Sequence, residues 1–398
     1  MKKISVFVCI LNCLFLLTGC WDRKELAEIK VVAGMAIDKG EDAKYKVTVE
    51  GLNAMELNTQ YASGNAATIV EGIEGNSISE ITHLFNEYFA QFLIFSHMKV
   101  LVISEKVASE GKLDFIDFLE RNRETRDDFN IIIAKDGKAE DILKISAQYR
   151  KASSLKISPQ LDHLLEDWGG DPGMNIINFI SELTLEGKEP VLTAVRLKGD
   201  VEKGKSMENI MKVTPDAIVV VDSLAIFKEG KLVGFLSMED ARNYLWIRND
   251  LKTTSLSIEC KKGDFSSIRV TESQTEVTSK WKNNKPKIHV SIKAEGYLEG
   301  TQCYKSVDKL GTIEKYEKLV NDTFSQKIKD TISHVQKQYQ ADIFGFGEVM
   351  RRQDYHSFMK VKDNWGEEFS NADVKVDVDF VLRRSGIRSK SFLTETEK

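Results

Sequence analysis

Three stretches of this chain place an apolar side chain at every second position. Val374, Val376, Val378, Phe380 and Leu382 form one; Ile288, Val290, Ile292 and Ala294 form another; Leu256, Ile258 and Cys260 form the third. Successive strand side chains point to opposite faces, so each run predicts a strand with one buried and one solvated face. Sheets built that way are largely antiparallel. Between the runs, Ile313, Tyr316, Leu319, Val320, Phe324, Ile328, Ile332, Val335 and Tyr339 recur at helical spacing. They predict one helix about 40 Å long, with a stripe narrow enough to lie across a sheet. Its spacing breaks heptad order, against a coiled coil. An apolar strand at Ala217–Val221, a hairpin turning at Lys228-Glu229-Gly230-Lys231 and a short helix over 238–247 complete the second half.

The first half alternates strands and helices. Residues 30–37 and 44–52 read as a hairpin with Lys39-Gly40 in its turn, and 66–75 as a further extended segment. A helix is expected from Ser77, with Glu80 at capping-box spacing and Ile78, Ile81, Leu84, Phe85, Tyr88 and Phe89 on one face. Met98–Ile103 and Ile131–Ala134 are nearly continuous apolar runs, the pattern of strands buried on both faces. Helices are expected over about 105–121, with Gly111 as a break, and over 138–146. Residues 150–185 carry no clear period, and Trp168-Gly169-Gly170-Asp171-Pro172-Gly173 is loop chemistry.

The fold class expected is α+β and multi-domain: a mixed α/β N-terminal half, and a C-terminal antiparallel sheet packed by one long helix. A chain of 398 residues suits two or three domains. The polar stretch 198–214 is read as a linker between an N-terminal region, 20–197, and a C-terminal domain, 215–390, with a tail over 391–398. A subdivision of the first region is expected near 140–150.

Residues 1–19 read as a signal peptide. Lys2 and Lys3 precede an apolar run from Ile4 to Leu17 that is too short to span a bilayer, which needs about 20 residues. Leu17-Thr18-Gly19-Cys20 resembles the lipobox of bacterial lipoproteins. Small residues at Thr18 and Gly19 let a peptidase reach the backbone. The Cys20 thiol is then expected to carry S-diacylglycerol and its freed amine an N-palmitoyl chain. Each buried CH₂ contributes about 0.8 kcal/mol, so such an anchor is stable. No later segment reaches the length of a membrane span.

Composition and motifs narrow the chemistry. The net charge is −5, against a general nucleic-acid role. HExxH, GxSxG and GxxxxGK[ST] are absent, and the six histidines lie far from one another and from cysteine. Gly345-Phe346-Gly347 reads as a turn after the long helix. Asp114 with Asp117, and Glu166 with Asp167, give no sign of sharing a pocket. No enzyme activity, catalytic residue, cofactor or metal is therefore expected. The run Arg121-Asn122-Arg123-Glu124-Thr125-Arg126-Asp127-Asp128 reads first as a solvated face, with Arg123 and Arg126 as candidate contacts to an acidic partner. Beyond the leader and Cys20 only Cys260 and Cys303 remain. A disulfide is open to them outside the cytoplasm, but two separate buried thiols are the simpler expectation.

Several segments together resemble the Ger(x)C family, the lipoprotein C subunits of spore germinant receptors. They are Cys20-Trp21-Asp22-Arg23-Lys24-Glu25-Leu26, Phe95-Ser96-His97-Met98-Lys99-Val100-Leu101-Val102-Ile103, Phe118-Leu119-Glu120-Arg121-Asn122-Arg123-Glu124-Thr125-Arg126, the 225–236 hairpin, Asp342-Ile343-Phe344-Gly345-Phe346-Gly347, Trp365 and Arg383-Arg384-Ser385-Gly386. The resemblance implies spore germination as the function and a complex with two membrane subunits, A and B. It implies a lipid-anchored site on the outer face of the spore inner membrane, with nutrients such as amino acids or sugars as triggers. The subunit would scaffold or relay, without needing to bind the germinant itself. The alternative is a solute-binding lipoprotein of an uptake system, which would show two doubly wound lobes joined at a hinge.

Overall fold

The computed structural model describes Glu25, Gln60 and residues 28–58, 62–111, 113–122, 124–148, 151–303 and 310–384. Two sheets organise it. The first contains β1 (Ile29–Lys39), β2 (Tyr45–Leu52), β3 (Thr68–Gly75), β4 (Phe92–Ile94), β5 (Val100–Ser104), β6 (Asn130–Ala134), β7 (Val191–Gly199), β8 (Ala217–Lys228) and β9 (Lys231–Ser237). Its order is β3-β2-β1-β5-β6-β7-β8-β9, with β4 beside the start of β1. The four central strands β1, β5, β6 and β7 are parallel, and antiparallel hairpins flank them on both sides.

Helices α1 (Ile78–Leu84), α2 (Glu105–Glu110), α3 (Phe115–Arg121), α4 (Ala139–Lys144), α5 (Ser153–Asp167), α6 (Ile176–Thr184) and α7 (Met238–Ile247) accompany this sheet. Leu101, Ile103, Ile131 and Ile133 face one apolar cluster, and Val100, Val102, Ile132 and Ala134 face the other. The continuous apolar runs thus have the cause expected of them: both faces are covered. On the second face lie Ile142 and Leu143 of α4 with Ile157 and Leu161 of α5. These two helices begin on carboxylates supplied by distant strands. Asp38 accepts the Ala139 and Glu140 amides at 2.8 Å. Glu50, wholly buried, accepts the Ser153 and Ser154 amides at 2.9 and 3.1 Å. Burial pushes the Glu50 carboxyl upward, against the pull of the Ser154 hydroxyl and both amides.

The second sheet runs β10 (Thr254–Lys261), β11 (Asp264–Lys282), β12 (Lys285–Thr301) and β13 (Asp373–Arg384). The first three strands are antiparallel, but β13 joins β12 in parallel. Parallel neighbours require a crossover, supplied here by α8 (Leu310–Gln338), α9 (Phe346–Gln353), α10 (Tyr355–Val361) and α11 (Trp365–Ser370). The one-faced pattern of β13 does not reveal its direction. Helix α8 buries Tyr316, Val320, Phe324, Ile328 and Ile332 against Ile288, Val290, Ile292 and Phe380 of the sheet. Its Asn321 and Glu317 accept the Phe380 and Leu382 amides at 2.8 Å, closing part of the free edge of β13.

Three expectations are corrected, and one unread stretch takes shape. Residues 198–214, read as a linker, finish β7 and form two short turns, Val201–Gly204 and Glu208–Met211. β7 then pairs with β8 from Val191↔Ile226 to Gly199↔Ala217, so one sheet runs across the expected boundary. Cys260 and Cys303, expected as separate thiols, form a disulfide with a Cα separation of 6.4 Å. The β11 start pairs with both β10 and the β12 end, which brings the two cysteines together. Ser77 precedes α1 in extended backbone, but its side chain makes no capping bond. Residues 150–185 are mostly helical, as α5 and α6, although Pro159 lies inside α5.

One apolar cluster extends from the first face of the nine-stranded sheet through α7 to α8 and the four-stranded sheet. This continuous arrangement differs from two doubly wound lobes joined at a hinge.

Candidate docking groove beside the first strand

Because β1, β5, β6 and β7 are parallel, their amino ends share one end of the first sheet. The chain enters there: Ile29–Val31 of β1 pair with Phe92–Ile94 of β4. Between β4, α1 and α3 lies a groove of about 640 Å³. Leu93, Phe95 and Phe118 supply its apolar lining, while His83, Arg121 and Glu124 supply polar groups. Phe92, which also lines it, is 50% exposed, and nearby Tyr88 is 58% exposed. The sequence stripe had Tyr88 on the buried face of α1. The helix instead ends at Leu84, and a tight turn over Phe85–Glu87 keeps Phe85 and Phe89 inside while Tyr88 points out.

The groove brings together two segments that carried the family resemblance, the Phe95 turn and the end of α3. The Met98 amide bonds the Phe95 carbonyl at 3.0 Å, which leaves His97 exposed in the turn. Arg121 is exposed and donates through Nε to both Asp117 carboxylate oxygens at 2.9 Å. That hydrogen bond holds the Asp117 carboxyl below its ordinary range. Arg126 pairs with Asp128 at 2.8 Å on the surface. Arg123 and Cys20 lie outside the described residues. Arg121 rather than Arg126 lines the groove, and the Asp117–Arg121 spacing of four residues was the sequence signal for its placement.

The carboxylate pairs go separate ways. Asp114 binds Lys44 and the Tyr45 hydroxyl, Glu166 lies 3.6 Å from Lys252, and Asp167 pairs with Arg269. Among the described residues no group of three or more His, Cys, Asp or Glu side chains is arranged to hold a metal ion. No helix among them is long and apolar enough to cross a membrane.

A joint links the two sheets. Asp342 is buried and accepts the Gly345 and Gly347 amides at 2.9 and 2.7 Å and the Trp365 indole N–H at 2.8 Å. Burial pushes its carboxyl upward despite these donors. Gly345 has φ 77°, and a Cβ on Gly347 would meet the Gly187 carbonyl oxygen at 2.6 Å. The Glu189 amide donates to the Asp342 carbonyl, and Arg248 donates to the Phe344 carbonyl at 3.2 Å. The motif Asp342–Gly347 therefore clasps the loop before β7. The local sequence shows only a turn there, because Gly187 and Trp365 are remote in the chain.

The family model for the spore germination protein N-terminal domain matches residues 22–197. The model for the spore germination B3/GerAC-like C-terminal region matches residues 222–386. The chain belongs to the Ger(x)C family. Spore germination protein KC of Bacillus subtilis (strain 168) is 29% identical, over 98% of this chain and 97% of its own. Spore germination protein B3 of the same organism is 25% identical, over 98% of this chain and 100% of its own. The crystal structure of the GerBC protein shares the fold, with a TM-score of 0.56 at 22% identity, covering 88% of this chain and 97% of that one. The Ger(x)C relatives are thus spore germination proteins along their whole length. In this Ger(x)C chain one family match ends within β7 and the other begins within its partner β8, so the division between them is not a division of the sheet.

Proposed function

We propose that this chain is the lipid-anchored C subunit of a spore nutrient germinant receptor. It is held by S-diacylglyceryl and N-palmitoyl groups on Cys20 to the outer face of the spore inner membrane, and it assembles with the A and B membrane subunits. The observation that carries the reading is the position of the groove beside the first strand. Ile29 lies nine positions after Cys20, so a fully extended tether reaches about 30 Å. The groove is therefore confined near the bilayer, where a tether raises its effective concentration for membrane partners. Its half-exposed Phe92 and Tyr88 and its apolar lining suit an extracellular loop of a membrane subunit. Arg123 and Arg126 would flank that contact. The role is assembly or relay, with the Asp342 joint carrying any shift at the first sheet toward the second.

Three measurements test this. Cys20→Ala should abolish lipid labelling and release the protein from spore membranes; persistent labelling contradicts the anchor. Phe92→Glu should lower recovery of the A and B subunits with this protein by about tenfold, as for loss of an interface anchor residue, with unfolding unchanged. Unchanged recovery removes the groove from the contact. Loss of the gene should impair germination with at least one nutrient.

A further inference from the structure

The hairpin between β11 and β12 reads Lys280-Trp281-Lys282-Asn283-Asn284-Lys285-Pro286-Lys287, four lysines without a carboxylate in a chain of net charge −5. Asn283 and Asn284 both have positive φ, 55° and 62°, which makes a tight two-residue tip. Lys280, Lys282 and both asparagines are exposed. Lys285 and Lys287 share the single carboxylate of Asp373, so that group remains positive. The Trp281 amide donates to Asp354 at 3.1 Å, which fixes the hairpin against the start of α10. There Tyr355 and Met359, one turn apart, are 56% and 37% exposed, and Lys360 is exposed beside them. Lysine point charges beside exposed aromatic and thioether side chains match an anionic headgroup layer, where lysines stay in water and rings sit at the boundary.

The surface also lies on a connected path from the tether. Gly347, at the start of α9, touches Gly187 before β7, and Lys362, after α10, pairs with Glu186 at 2.7 Å. Helix α9 runs from that joint to Gln353, whose side chain accepts the Ser279 amide at 2.8 Å beside the hairpin. At 1.5 Å per residue this is about 12 Å. The hairpin base is thus a short helix away from the amino end of β7, three strands along the sheet from β1, where the chain enters.

We infer that the β11–β12 hairpin and the exposed start of α10 make a second contact with an anionic bilayer surface and so orient the tethered body. The inference rests on the reading of Cys20 as a lipid anchor. One lipidated residue by itself does not fix which way the body faces the bilayer. A second electrostatic contact would restrict that freedom and present the groove in one direction.

The test uses the full lipidated chain carrying Asn284→Cys, labelled with an environment-sensitive fluorophore, on vesicles of phosphatidylcholine with or without phosphatidylglycerol. On anionic vesicles the label should shift to the blue and be quenched by a lipid-borne quencher. The effect should fade in about 1 M salt, where screening acts over roughly 3 Å. Lys280→Glu and Lys282→Glu should each weaken the contact by at least fivefold, as the loss of one lysine near an anionic surface implies. Flotation with the vesicles while the label stays in water overturns the contact alone, as does equal quenching on neutral vesicles. Failure to float with either vesicle overturns the anchor and the contact together.

Discussion

The two sheets of this protein solve the same burial problem in different ways. In the first, consecutive residues such as Ile132 and Ile133 are both wholly buried, on opposite faces. In the second, Ile292 is buried while its neighbour Lys293 is exposed. Parallel strands need crossover helices, and these cover both faces; an antiparallel hairpin needs none and leaves one face to water. The first sheet therefore suits an internal frame, with function at its ends, whereas the second offers a broad solvated face and a projecting hairpin. The second also relies on a covalent bond where the first relies on buried carboxylates.

The largest expected effect tests that last difference. Reducing the Cys260–Cys303 disulfide, whose sequence separation is 43, should cost about 4 kcal/mol in the chain-entropy model. Hydrogen exchange should accelerate in β10–β12 while β5 and β6 stay protected. Equal loss in both sheets would mean that the shared apolar cluster makes them one cooperative unit.

Core truncation should cost somewhat less. Ile132→Ala and Ile133→Ala should each destabilise by about 3 kcal/mol in urea titrations, because both faces are packed. Ile292→Ala should match them. A near-neutral result for either Ile132 or Ile133 would break the two-faced description of the first sheet.

Acidity should act with opposite sign at two carboxylates, one beside each sheet. Burial, opposed by the Thr193 hydroxyl and the Gly173 amide, raises the Asp171 carboxyl to about 6. The folded state then holds a proton that the unfolded state has released. Its contribution to stability is present at low pH and is lost as pH rises from about 4 through about 6, by roughly 2–3 kcal/mol. Asp171→Asn should flatten that slope. Asp373 behaves oppositely: hydrogen bonds from Lys285 and Lys287 hold its carboxyl below the usual range. Its contribution is present above about pH 4 and is lost as pH falls. Urea titrations across this range measure both signs. The smallest effect should be Lys293→Ala, within about 0.5 kcal/mol, since its side chain faces water.

Periodicity revealed much of this architecture because it reports local burial. The alternating runs of β12 and β13, the stripe of α8 and the apolar runs of β5 and β6 all appear where the sequence predicts them. Long-range pairing left no such trace. Helix α5 escaped notice because Pro159 argues against a helix and Glu50, 103 residues before Ser153, satisfies its first amides. The parallel partner of β13 and the Cys260–Cys303 bond depend on which strands become neighbours. The groove was half legible: the Phe95 and Phe118 segments stood out, but nothing local indicated that α1 and β4 would join them.

The continuity of strand pairing between β7 and β8 has a practical meaning for chimeras. A hybrid of two such proteins spliced within 198–214 would combine β7 of one parent with β8 of the other. Nine pairs of residues selected in different backgrounds would then have to match. A splice between Ile247 and Thr254 keeps each sheet from a single parent. Even there, the apolar cluster shared through α7 obliges the two parents to fit along one seam.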